Sequence, residues 1–218
     1  MSVTDVQQVG TMPKNETRRR RRKDARPAEI IEAAFKEFEQ KGFGNSTLAS
    51  IAERAGISRT TIYLYYKTKE AIFEAAIRGT VEQTIDEATH LAQGHEGDFR
   101  TVFASVLDLV YQRLVSGQAS IILKVLVAEG QDMPDLIVFY RTKILSKGEQ
   151  LIQGLIARGV SNGELSPDCL EYDVRILVAP AIFAGLWRNV FDKIDPLDIE
   201  AFKQMHIRLI CDALLSRD

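Results

Sequence analysis

The amino-acid sequence predicts an all-α chain, with three short helices at the N-terminus ahead of a larger helical domain. Three observations carry this. From about residue 25 onward apolar residues recur at i, i+3, i+4 and i+7, and the alternation of a strand never persists over a useful length. Glycine, proline and capping residues cut that pattern into segments of helical length. Two of the first segments are short and parted by a tight glycine turn, the sequence form of a helix-turn-helix.

Residues 1–24 are polar and close on RRRRRK, Arg18 to Lys23. Like-charge repulsion without apolar periodicity predicts a disordered basic arm. Ile31, Ala34, Phe35 and Phe38 then form the stripe of a first helix, with Pro27 near its start and Gly42 at its stop. Thr47 can cap a second helix (Leu48, Ile51, Ala52, Ala55) that ends at Gly56 with Ile57 behind it. Ser58 can cap a third, and Thr68 a fourth that carries Phe73, Ala76, Ile77, Val81 and Ile85. Further helical runs fall at about 98–116, 119–129, 134–158, 167–192 and 196–216, and Ser166 and Asp195 each precede a proline. The expected division is a basic arm over 1–24, a helix-turn-helix domain over 25–73 and a helical domain over 74–218.

The net charge of -2 hides an asymmetry, because residues 1–73 hold 14 Lys/Arg against 9 Asp/Glu and residues 74–218 hold 14 against 21. A basic front and an acidic back imply different partners. Cys169 and Cys211 have no metal-type spacing and read as buried apolar residues in a reducing compartment. The longest apolar run, Ile176 to Trp187, is too short to span a bilayer. A soluble, cytoplasmic protein is expected.

Enzyme signatures are missing. GFGN at Gly42 lacks the third glycine of a dinucleotide loop, and no GxxxxGK[ST], HExxH or GxSxG occurs. His90, His95 and His206 do not share a helical face at ligand spacing. No catalytic, metal or cofactor site is expected.

On a helical wheel Ile62 and Tyr66 share one face of the third helix, suited to packing. The other face gathers Thr60, Thr61 and Leu64, with Tyr63 and Tyr65 at its margins and Arg59 at its start. Against a duplex each has a use: Arg59 can bind guanine, threonine can bond base edges or phosphates, Leu64 can pack on a thymine methyl, and tyrosine can donate to phosphate. The capped start of the second helix near Thr47 and the start of the fourth near Thr68 and Lys69 offer backbone N–H groups to phosphates, with Lys67 and Lys69 adding charge, and Ser58 is a further DNA-contact candidate.

The stretch AAFKEFEQKGFGNSTLASIAERAGISRTTIYLYYKTKEAIFEAAI resembles the DNA-binding region of the tetracycline repressor (TetR) family, over about Ala25 to Ile77. The resemblance implies a homodimeric regulator that binds a palindromic double-stranded operator and is released by a small-molecule effector. It implies Thr47 and Lys69 as phosphate contacts, and Arg59, Thr60, Thr61, Tyr63, Leu64 and Tyr65 as the recognition surface. Leu64, Tyr65 and Thr60 depart from residues common in the family, so an operator cannot be borrowed.

The resemblance also implies dimerisation through the last two long helices, about 167–192 and 196–216. An effector pocket is expected among the middle helices, with Phe103, Tyr111, Phe139, Tyr140 and Trp187 as lining candidates and a hydrophobic or aromatic ligand. Two alternatives stay open: a constitutive DNA-binding dimer without an effector, and, more distantly, a helical enzyme or carrier.

Overall fold

The computed structural model describes residues 14–115 and 117–215, with side chains from Ala25 onward. These residues form α1 (Lys14–Lys41), α2 (Leu48–Arg54), α3 (Arg59–Tyr65), α4 (Lys69–Ile77), α5 (Gln83–Gly94), α6 (Phe99–Val110), α7 (Ala119–Glu129), α8 (Pro134–Phe139), α9 (Ser146–Ser161), α10 (Arg175–Phe191) and α11 (Ile199–Leu214). Wider π-helical turns join α4 to α5 at Arg78–Glu82 and α8 to α9 at Tyr140–Leu145, and a third, Tyr111–Val115, extends α6. The fold is all-α, and among the described residues the nearest approach to a strand is one antiparallel bridge, Leu165 with Leu215.

The short helices start where local chemistry says they should. The side chains of Thr47, Ser58 and Thr68 accept the backbone N–H of Ser50, Thr61 and Ala71 at 3.0–3.1 Å. Gly56, at φ +64°, turns α2 into α3 while Ile57 donates its N–H to Ala52, satisfying the end of α2.

The arm expected over 1–24 lies outside the described residues up to residue 13, but from Lys14 the backbone is already helical. Arg, Lys and Glu are good helix formers, and extending a helix already nucleated by its buried stripe costs little per residue. Pro27 therefore lies inside α1 and not at its first turn.

Two apolar cores organise the packing. The first joins Ile30, Ala34, Phe35 and Phe38 of α1, Phe43 of the turn that follows, Ile51 and Ala52 of α2, Ile62 of α3 and Ile72, Phe73, Ala76 and Ile77 of α4. Phe38, Phe43 and Phe73 form a triangle with ring centroids 5.1–5.8 Å apart. The same core takes in Ala119, Ile122 and Val125 of α7, so the front of the molecule is seated on its body. The second core is built from α6, α9, α10 and α11, with Phe103, Leu107, Ile156, Leu177 and Cys211 among its members. Cys169 and Cys211 are both buried and free.

At the joint of α1 and α2 lies a buried carboxylate, Glu37, 1% exposed. Its Oε2 accepts from Nε of Arg54 at 2.7 Å, and the Lys41 ammonium forms an ion pair with Oε1 at 2.7 Å. Arg54 also reaches Gln40 on α1, so α2 is tied to α1 by charge as well as by apolar packing.

Candidate nucleic-acid interface and ligand groove

The third helix presents a face that nothing among the described residues covers. Ile62 is fully buried, and Tyr66, which ends the helix in an extended conformation, packs half-buried on the first core. On the other side Arg59 and Thr60 are exposed, Tyr63 is 48% exposed and Leu64 76%. Water is a poor partner for an outward leucine beside a tyrosine, and such a patch on a two-turn helix marks a contact surface.

The remaining candidates divide by role. Ser58 and Thr61 bond each other through their side chains at 2.8 Å as well as through the cap, so their hydroxyls first serve the start of α3. Tyr65 is half-buried against the first core, less available than Tyr63. Thr47 is exposed at the start of α2, where it makes a capping box with Ser50.

The Lys69 ammonium donates to the carbonyls of Phe43 and Gly44 at 2.7 and 3.0 Å and lies 4.5 Å from the centre of the Phe43 ring. Two of its three donors are used inside the molecule, which leaves one for an outside anion. Lys67 is exposed close by, its ammonium on the carbonyl of Tyr63.

The five aromatic residues expected to line a pocket do not come together. Phe103 and Tyr111 are closed into the second core, where the Tyr111 hydroxyl meets Nδ1 of His206 at 3.0 Å and Nε2 of His206 bonds the carbonyl of Leu177 at 2.8 Å. Burial pushes the Tyr111 hydroxyl up to about 12 and holds His206 below its ordinary range. Phe139 and Tyr140 instead pack half-buried on the first core, with the Arg78 guanidinium 4.5 Å over the Phe139 ring. Trp187 is on α10, its ring packed at a tilt against Phe183 and Phe191 and its indole N–H donated to the carbonyl of Asp195 at 2.8 Å.

A groove of about 530 Å³ does open elsewhere, between α5 and α9. Ala92, Leu151 and Leu155 give it an apolar floor, and Asp86, Lys147 and Arg158 stand on its rim. Gly154 keeps it open, for nothing lies within 4 Å of the space its side chain would fill. Its charges are already partnered: Lys147 binds Glu82 and Asp86, and Arg158 binds the carbonyls of Ala92 and Gly97. The sequence signal for this groove was two small residues, Ala92 and Gly154, on separate helices, which no local pattern connects.

The outer face of α10 and α11 is strongly apolar and open. Ile176 (67% exposed), Phe183, Val190 (65%) and Ile194 (81%) lie along α10 and just beyond it, and Met205 and Leu209 lie on α11. Ala181, Ala184 and Gly185, small residues of the same helix, face inward, and a methyl on Gly185 would meet Leu123 of α7 at 3.2 Å. Among the described residues no His/Cys/Asp/Glu group has metal-binding geometry, and no helix is long and apolar enough to cross a membrane.

Residues 30–76 match the family model described as bacterial regulatory proteins, tetR family. The chain is 24% identical over 168 residues to YdeS of Bacillus subtilis, described as an uncharacterized HTH-type transcriptional regulator, covering 71% of this chain and 75% of that protein. Its fold is similar to that of a transcriptional regulator from Saccharomonospora viridis solved in complex with choline, at a TM-score of 0.73 and 20% identity over 89% of this chain and 100% of that one. It is also similar to the regulator FadR from Bacillus subtilis in complex with stearoyl-CoA, at a TM-score of 0.69 and 21% identity over 84% and 97% of the two chains.

Proposed function

We propose that the chain is a DNA-binding transcriptional regulator of the TetR family, a dimeric repressor released from a palindromic operator by a small molecule. The observation that carries the reading is the uncovered face of α3, with Leu64 and Tyr63 outward beside Arg59 and Thr60. In a major groove those side chains reach base edges while Thr47, Lys69 and the starts of α2 and α4 face phosphates. Ser58 and Thr61 hold the reading helix in shape, and Tyr65 contributes from its margin. The domains are the helix-turn-helix unit over 25–73 and the effector-binding and dimerisation domain over 74–218, working on cytoplasmic DNA.

Dimerisation through α10 and α11 follows from their open apolar face, since a contiguous patch of that kind marks an interaction surface. A dimer also holds two reading helices about one DNA turn (~34 Å) apart, which a single short helix needs for affinity. The effector site is the groove between α5 and α9, of ordinary ligand size, and its floor suits a hydrophobic or aromatic body. The neighbours solved with choline and with stearoyl-CoA support a ligand-binding body on this fold. A constitutive dimer is the second reading, favoured by the closed packing of Phe103 and Tyr111.

The test starts with duplexes enriched from a random pool by the wild-type protein. Arg59→Ala and Tyr63→Ala should each weaken specific binding by ~1–3 kcal/mol. Unchanged binding by both, in folded protein, removes α3 as the reading element. The switch fails separately if compounds that bind the groove leave DNA affinity unaltered.

A further inference from the structure

The turn between α1 and α2 is held from two sides, and one side belongs to the body of the molecule. Oε1 of Glu129, the last residue of α7, accepts the backbone N–H of Phe43 at 3.1 Å, across 86 residues of sequence. Lys69 of α4 takes the carbonyl of the same Phe43 at 2.7 Å. The carboxylate can sit so close because the turn is glycine on both sides of Phe43: methyls at Gly42 and Gly44 would stand 3.5 and 3.1 Å from the Glu129 oxygens.

From Phe43 to α3 the chain has little slack. The Ser46 hydroxyl donates to the carbonyl of Gly42 at 2.6 Å, the Ser46 N–H to that of Phe43 at 3.1 Å, and the Asn45 amide to that of Lys41 at 3.1 Å. Thr47 then closes a capping box on α2, and Gly56, Ile57 and Ser58 fix α3 to α2. A shift of the Phe43 peptide therefore carries α2 and α3 with it as a unit.

The other end and the back of α7 are held too. Gln118, just before it, donates to Glu32 of α1 at 2.5 Å, and its inner face (Ala119, Ile122, Val125) is buried in the first core. Its outer face meets α10: Asn189 donates to the carbonyl of Ser120 at 3.2 Å, and Leu123 lies against Gly185. α7 thus bridges the helix with the open apolar face and the turn that steers the reading helix.

We infer that Glu129 is a positioning residue that sets the attitude of α2 and α3 on the body, and so decides which half-site spacing the dimer accepts. The inference rests on α3 as the reading helix and α10 as part of the dimer seam. Its signature differs from that of a contact to DNA, because the geometry between two reading helices matters only when both are engaged. Loss of the carboxylate leaves each helix intact and loosens its angle.

The experiment uses full-length dimer, a duplex enriched from a random pool, the same duplex with one base pair added or removed between half-sites, and an isolated half-site. Wild-type protein should prefer the native spacing by about tenfold or more, and Glu129→Ala should reduce that preference to about threefold or less while half-site affinity changes by less than about twofold. Glu129→Gln keeps an acceptor for Phe43 and should retain the preference. Faster hydrogen exchange at the Phe43 amide in Glu129→Ala should accompany the loss. A wild-type spacing preference in Glu129→Ala, or an equal loss on half-site and full duplex, overturns the inference. If Glu129→Ala does not fold, Glu129→Met, which keeps the length of the side chain and removes the acceptor for the Phe43 N–H, must lower the preference, and failure to do so overturns it equally. Arg59→Ala separates the two ideas: unchanged binding there removes α3 as reader, whatever the spacing ratio shows.

Discussion

Glu37 offers a sharp test of how the reading unit is held together. Its carboxyl is displaced from an ordinary 4.5 to about 2, chiefly by the Lys41 ammonium, with Ser50 and Arg54 assisting and burial opposing. The sign is that of a depressed acid. Above pH 4.5 both folded and unfolded chains carry the charge and the stabilisation is complete. As pH falls through 4.5 the unfolded chain takes up the proton first, and the advantage drains away until about pH 2. A displacement of this size corresponds to about 3 kcal/mol at most. Lys41 is 51% exposed, so water and salt screen its share, and about 1–2 kcal/mol is the expected cost of Glu37→Gln at pH 7. Glutamine keeps an oxygen for Arg54 while it removes the charge and the acceptor that faces Lys41. The assay is native-state hydrogen exchange of α1 and α2 amides between pH 7 and pH 3, which follows local opening without assuming that the whole chain unfolds in one step. The gap between wild type and variant should shrink steadily below pH 4.5. A gap under about 0.3 kcal/mol at pH 7, or one that stays constant down to pH 3, would refute the reasoning.

Three further outcomes follow from the body of the molecule. Phe183→Glu and Val190→Glu, placed on the open face of α10, should convert the proposed dimer to monomer in sedimentation and lower affinity for the full duplex; a dimer of unchanged mass would put the interface elsewhere. Tyr111→Phe should cost about 1 kcal/mol by removing the bond to His206. Because burial holds His206 below its ordinary 6.5, the unfolded chain binds a proton there that the folded chain refuses, so stability should fall as pH drops below 6.5. His206→Gln should flatten that slope in a urea titration across pH 5 to 7, and an unchanged slope would clear His206 of the effect.

The parts of this fold legible in the sequence were those governed by local chemistry. Thr47, Ser58 and Thr68 sit at helix starts because a short oxygen side chain and an N–H three residues on are all a cap requires. The stripe of α1 and the glycine turn before α3 were readable for the same reason. The arm went the other way over residues 14–24, since charge content argues against a core but does not prevent a helix from growing backward out of one. The outward face of α3 was read from periodicity alone, and Leu64 is as open as that reading requires.

The body was harder to read, because helical spacing says that a residue is apolar on one face but not what that face meets. Phe103, Tyr111, Phe139, Tyr140 and Trp187 all met the description of pocket aromatics, yet they are dispersed over two cores and an outer face. The groove between α5 and α9 is defined by missing side chains on those helices, a quantity that only the packing of separated segments fixes. Glu129 is the same problem in polar form. In sequence it is one more acid at the end of an amphipathic helix, indistinguishable from Glu39 or Glu53. Its bond to Phe43 makes it distinct, and that bond exists because α7 is buried against the first core and two glycines leave the turn bare. Lys69 carries the converse lesson: its position at a helix start suggests a hand held out to phosphate, whereas two of its three donors are spent on the turn that Glu129 holds from the other side. The Lys69 charge thus works first on the geometry of the protein, and one donor remains for an outside anion.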